Sequence, residues 1–114
     1  MAAAILIMED DDEVREAIER ILARLDRPIV TVATAADAVE RCGRNTPALV
    51  IADLSLAGAG FALRLPGTPP VIYVSGLTRS AAIRRGLLEE GDVLVSKPFT
   101  SAGLRSAVER ALGR

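Results

Sequence analysis

Five short apolar runs rich in β-branched residues recur along the chain: Ala4 to Met8, Ile29 to Ala33, Leu49 to Ala52, Val71 to Val74 and Val93 to Val95. Their length and composition predict strands. The intervening segments have helical spacing instead. Val14, Ile18, Ile21, Leu22 and Leu25 recur at intervals of three and four, as do Leu104, Val108 and Leu112, which predicts amphipathic helices. Thr34 with Asp37 three residues on predicts a capped helix through Val39 and Cys42, with Gly43 placed to end it. Ser80 to Glu89 predicts a fourth helix stopped by Gly91. Parallel strands need crossover connections, so a strand–helix unit repeated five times predicts an α/β fold: a doubly wound, five-stranded parallel sheet with helices on both faces.

One stretch departs from that rhythm. Ala57, Gly58, Ala59 and Gly60 are followed only by Phe61 to Leu65 before Pro66, Gly67, Pro69 and Pro70. The third helix is therefore predicted to be shortened to little more than one turn. No repeat, linker or low-complexity tract divides the 114 residues, which fit one domain spanning 1–114.

Charge and composition exclude several function classes. A net charge of −1 offers no basic surface for the phosphates of DNA or RNA, so no nucleic-acid partner is expected. The absence of histidine removes imidazole-based triads and His-ligated zinc. Cys42 is the lone cysteine and cannot form an internal disulfide, while Ala2 to Met8 is too short an apolar run for a membrane anchor. A cytoplasmic protein without a membrane partner is expected.

In a doubly wound sheet, ligands bind beyond the carboxyl ends of the strands. Glu9, Asp10, Asp11 and Asp12 follow the first run with no glycine among them, which removes both the dinucleotide fingerprint and the phosphate-cradling P-loop at that turn. Asp11 and Asp12 read as caps of the first helix. Asp53 ends the third run, Ser75 and Gly76 the fourth, and Ser96, Lys97 and Pro98 the fifth. Carboxylates gathered in a partly dry crevice repel one another, and oxygen-only ligands favour a hard divalent ion, Mg²⁺ foremost. Glu9, Asp10 and Asp53 are the candidate ligands. Lys97 is the only lysine among fourteen basic residues, and its compact ammonium suits one oxygen of a small anion. A salt bridge from Lys97 to Asp53 is the simplest contact it could make. Pro98 makes the Lys97–Pro98 bond a candidate for the cis isomer, and Ser75 is either a turn former or a hydroxyl donor to the same anion.

Taken together, Ile5-Leu6-Ile7-Met8-Glu9-Asp10-Asp11, Asp53 after Leu49-Val50-Ile51-Ala52, Val71-Ile72-Tyr73-Val74-Ser75-Gly76 and Lys97-Pro98-Phe99 resemble the receiver domains of bacterial two-component response regulators, typified by the chemotaxis response regulator. The resemblance covers nearly the whole chain. It implies the flavodoxin-like strand order 2-1-3-4-5. It also implies that Asp53 is the phosphoacceptor, that Glu9 and Asp10 hold Mg²⁺ with Asp53 and the Ser55 backbone carbonyl, that Ser75 is the switch hydroxyl, and that Lys97 pairs with the phosphoryl group. Where the family carries an aromatic residue three positions before the lysine, this chain has Leu94.

The function so implied is a signalling switch, apparently stand-alone, phosphorylated by a histidine kinase or phosphotransfer protein and acting on a downstream protein as a monomer or weak homodimer. It would be no enzyme beyond its own phosphorylation and dephosphorylation. Two alternatives keep the fold: a phosphate-independent interaction module, and a receiver derived from a hybrid sensor kinase. A Mg²⁺-dependent phosphohydrolase ranks last, because Asp53-Leu54-Ser55 lacks the second acid of a D-x-D nucleophile motif.

Overall fold

Every residue of the first strand is apolar and buried, which requires layers of helix on both sides of it. The computed structural model describes residues 3–113; Met1, Ala2 and Arg114 of the expected 1–114 domain, Ala2 being also the first residue of the apolar run Ala2 to Met8, lie outside them. Strand β1 (Ile5–Met8) is followed by helix α1 (Asp12–Leu22), β2 (Ile29–Val32), α2 (Ala35–Arg44) and β3 (Leu49–Asp53). Two one-turn helices, α3 (Leu54–Ala57) and α4 (Phe61–Arg64), precede β4 (Val71–Ser75), and α5 (Arg79–Arg84), β5 (Val93–Ser96) and α6 (Ser101–Ala111) complete the order. All strand pairs are parallel and the sheet order is β2-β1-β3-β4-β5. This is the doubly wound, flavodoxin-like arrangement that the sequence predicts.

Because side chains alternate across a strand, the sheet divides its apolar residues between two cores. Ile5, Ile7, Ile51, Ile72 and Val74 pack with Ile18 and Leu22 of α1 and with Leu104 and Val108 of α6. Leu6, Met8, Val50, Ala52 and Tyr73 pack on the other face with Ala38 and Cys42 of α2, Phe61 of α4 and Ala82 of α5. Cys42 and Phe61 are thus core residues. Phe61 meets Tyr73 edge to face, with ring centroids 6.5 Å apart.

Side-chain caps start the longer helices. Asp11 Oδ1 accepts from the Val14 N–H at 3.1 Å, Thr34 Oγ1 from Asp37 at 3.1 Å and Thr100 Oγ1 from Gly103 at 2.9 Å. Each satisfies one of the amide donors left over at a helix start.

Three boundaries differ from the sequence expectation. Gly43 does not end α2, which runs on to Arg44 and stops where Asn45 turns extended (φ −149°) two residues before Pro47. The shortened third helix is two separate turns, because Gly58 and Gly60 both adopt φ +72° and interrupt the path between Ala57 and Phe61. The fourth predicted helix, α5, ends at Arg84 instead of Glu89. Gly86 at φ +73° donates to Ile83 O at 2.9 Å, and Leu87 donates to Ala82 O at 3.0 Å, a Schellman termination well before Gly91.

Candidate functional site

The parallel register brings the carboxyl ends of β1, β3, β4 and β5 to one edge, and the residues leaving those strands meet there. Glu9 follows β1 and is 3 % exposed; Asp53 ends β3 at 8 % and Ser75 ends β4 at 7 %. Lys97 follows β5, and its backbone N–H donates to Ser75 O at 2.8 Å, which joins that loop to the end of β4. The Lys97–Pro98 peptide bond is cis.

Lys97 Nζ donates to Asp53 Oδ1 and to Glu9 Oε1, each at 2.8 Å. The other Asp53 oxygen, Oδ2, accepts from the Leu56 N–H at 3.2 Å and from the Ser55 hydroxyl, so Asp53 is also the N-cap of α3. Burial alone would push the Asp53 carboxyl up. The hydrogen bonds from Lys97 and Ser55, the charge of Lys97 and the Leu56 amide together outweigh burial and hold it below the usual carboxylate range. For Lys97, burial favours the neutral amine, but Asp53 and Glu9 outweigh it and hold the ammonium above the ordinary lysine value. Both groups are therefore charged at neutral pH.

Ser75 Oγ accepts from the Leu77 N–H at 3.0 Å, which leaves its own O–H to donate. Asp53, Ser55, Ser75 and Lys97 line one open cleft, and Leu77, Leu87 and Arg85 line it with them. Those three escaped the sequence reading. The local signal at Arg85 is the glycine after it, Gly86, which ends the helix there and turns the chain back toward the site.

Of the sequence-derived ligands, Glu9 and Asp53 are brought together through Lys97, while Asp10 is exposed. Among the described residues no group of three or more His, Cys, Asp or Glu side chains is gathered as a metal cage. The chemistry of the donor set nonetheless fits a hard divalent cation: Glu9, Asp10 and Asp53 are oxygen donors whose combined charge exceeds that of the one ammonium beside them. Leu94, at the position of the family aromatic, is half-buried and pairs with Tyr73 of β4.

The response regulator receiver domain family matches residues 5–109. The transcriptional regulatory protein CseB of Streptomyces avermitilis is 30% identical over 115 residues, which cover 96% of this chain and 49% of that protein. The chain thus spans about half the length of the curated relatives it matches. Among solved structures, the BeF3-activated conformation of SdrG from Pseudomonas melonis Fr1 is 28% identical with a TM-score of 0.78, covering 98% of this chain and 99% of that one. The receiver domain of the sensor histidine kinase PA1611 from Pseudomonas aeruginosa PAO1, with magnesium coordinated in its active-site cleft, is 20% identical with a TM-score of 0.84 and full coverage of both chains; at that identity it supports the fold alone. A sheet of order 2-1-3-4-5, an acid–lysine pair at its carboxyl edge and a family match over almost the whole chain lead to one assignment: this chain belongs to the response regulator receiver domain family.

Proposed function

We propose that this receiver domain is a phosphorylation-dependent signalling switch in which Asp53 accepts a phosphoryl group from a histidine kinase or phosphotransfer protein. The observation that carries the reading is the buried Asp53 carboxylate, held charged by Lys97 at 2.8 Å and opening into a cleft shared with Ser75. In the proposed step an Asp53 oxygen attacks the phosphorus of a phosphohistidine; the new P–O bond forms as the P–N bond breaks and the imidazole leaves with that electron pair. Lys97 offsets charge on the phosphoryl oxygens, and the Ser75 O–H donates to one of them. Glu9, Asp10, Asp53 and the Ser55 carbonyl are the residues that would hold Mg²⁺, which when bound supplies further neutralisation of the phosphoryl charge.

The consequence proposed is a shift between two states that alters binding of a downstream protein. Catalysis is limited to the domain's own phosphorylation and dephosphorylation. The name of CseB belongs to a protein about twice as long, so any contact with nucleic acid is not assigned to this domain, which is proposed to work as a monomer or weak homodimer in the cytoplasm. Among the described residues no helix is long and apolar enough to cross a membrane.

The test is the intact mass after incubation with acetyl phosphate or phosphoramidate, with and without Mg²⁺, for the parent and Asp53→Asn. A Mg²⁺-dependent gain of one phosphoryl group that is absent in the variant supports the switch. No gain under any condition overturns it in favour of a phosphate-independent interaction module.

A further inference from the structure

Among the described residues Lys97 is the one side-chain cation in contact with the carboxylates of Glu9 and Asp53. It already donates to both Glu9 and Asp53, and a phosphoryl group on Asp53 would replace one negative charge by about two. The cleft has one further cation in its wall. Arg85 lines it with Asp53, Ser55, Ser75 and Lys97, and its place there is set by the backbone. Arg85 is the C-cap of α5 (φ −82°, ψ −1°), Gly86 reverses the chain, and Leu88 behind it is buried. Two backbone hydrogen bonds, Gly86 N–H to Ile83 O and Leu87 N–H to Ala82 O, fix that turn.

Among the described residues Arg85 takes part in no ion pair, whereas Arg15, Arg44 and Lys97 do. Its guanidinium is therefore not committed to a carboxylate elsewhere. A planar fork of N–H donors matches two oxygens of a phosphoryl group, a geometry that the point charge of an ammonium does not offer.

Resting on the reading of Asp53 as phosphoacceptor, we infer that Arg85 is a second phosphoryl-binding cation, which grips the group on Asp53 from the α5 side of the cleft while Lys97 holds it from the β5 side. The turn at Gly86, by ending α5 early, is what delivers this residue to the site.

The test measures the affinity of the full chain for beryllofluoride in the presence of Mg²⁺, by calorimetry, for the parent, Arg85→Ala, Arg85→Lys and Arg84→Ala, with Tm values to verify folding. Arg85→Ala should weaken binding roughly tenfold, as expected for loss of a hydrogen bond to a charged group. Arg85→Lys should recover part of it, since charge returns without the fork. Arg84→Ala, exposed and outside the cleft, should match the parent. Affinity within about twofold of the parent for Arg85→Ala overturns the assignment, as does an equal loss in Arg84→Ala, which would mark a general charge effect. Equal losses in both Arg85 variants with lowered Tm would make the residue merely structural. A parent that neither binds beryllofluoride nor gains a phosphoryl group would overturn the Asp53 reading itself; a parent that does both, with Arg85→Ala unaffected, overturns only the role of Arg85.

Discussion

Lys97 Nζ lies 2.8 Å from Asp53 Oδ1, and at the same distance from Glu9 Oε1, so one ammonium joins residues 44 and 88 positions away in the sequence. It ties together the carboxyl ends of β1, β3 and β5. Removing it in Lys97→Met leaves two buried carboxylates facing each other without compensation. The ammonium is partly solvated, so the loss should be roughly 1–3 kcal/mol, below that of a fully buried pair. Adding Asp53→Asn should recover part of it by removing one of the two repelling charges. Urea denaturation at pH 7 measures both, and a Lys97→Met protein as stable as the parent would contradict the proposed tie.

The same pair sets a pH dependence with two limbs. The folded Asp53 carboxyl titrates below its ordinary value, so the folded state binds its proton more weakly than the unfolded chain does. Its contribution is complete above the unfolded value of about 3.9 and is lost as pH falls through the lower folded value. Lys97 is raised, so its contribution is complete below about 10.4 and is lost as pH rises through the higher folded value. Stability should therefore hold a plateau between those limits, as far as this pair is concerned. Asp53→Asn should flatten the acid limb in a series of urea midpoints against pH; an acid limb identical to that of the parent would show that Asp53 does not create it.

What the sequence disclosed depended on how local the deciding interaction was. β1 and β3 were legible because strands covered on both faces need continuous apolar runs, and Glu9, Asp53, Ser75 and Lys97 were legible because each leaves such a run at the ligand-binding edge. Arg85 was not. Its place depends on α5 stopping at Gly86 rather than Gly91, and both glycines are plausible terminators locally. The choice is made by burial of Leu88 and by Leu87 reaching the cleft, which are tertiary events. In the same way the sequence announced a shortened third helix but not its division by Gly58 and Gly60 into two turns.

Two glycines of that shortened region should respond differently to alanine. Gly58 has φ +72° with open space where a Cβ would stand, whereas at Gly67, φ +81°, a Cβ would come within 2.2 Å of Thr46 Oγ1. Gly58, at ψ 174°, sits in the positive-φ extended region open essentially to glycine alone, so Gly58→Ala should cost about 1–3 kcal/mol through backbone strain without a clash. Gly67→Ala adds a steric clash and should cost about 1–3 kcal/mol more, seen as the lower Tm of the two. Equal melting temperatures would mean that Thr46 moves aside freely.

Cys42 lies in the core beneath α2, and burial pushes its thiol pKa up. The thiolate is the reactive form, so both access and ionisation oppose reaction in the folded protein. Ellman's reagent at pH 8 should react roughly a hundredfold more slowly with the native chain than with the urea-unfolded chain, because modification must wait for local opening. Rapid native reaction would show that α2 lifts from the sheet readily.

The one-turn helix α4 places two large apolar residues in opposite surroundings. Phe61 is 1 % exposed and packs edge to face on Tyr73, while Leu63, two residues on, is 91 % exposed. A turn this short gains little from its own hydrogen bonds, so the aromatic side chain must anchor it. Phe61→Ala should then cost about 3–5 kcal/mol through lost burial and the cavity left against Tyr73. Leu63→Ser removes no buried surface and should change stability by less than about 0.5 kcal/mol. Urea denaturation of both variants decides the matter: a small loss for Phe61→Ala would mean that the segment holds to the sheet by other contacts, and a large loss for Leu63→Ser would mean that its side chain is covered in solution.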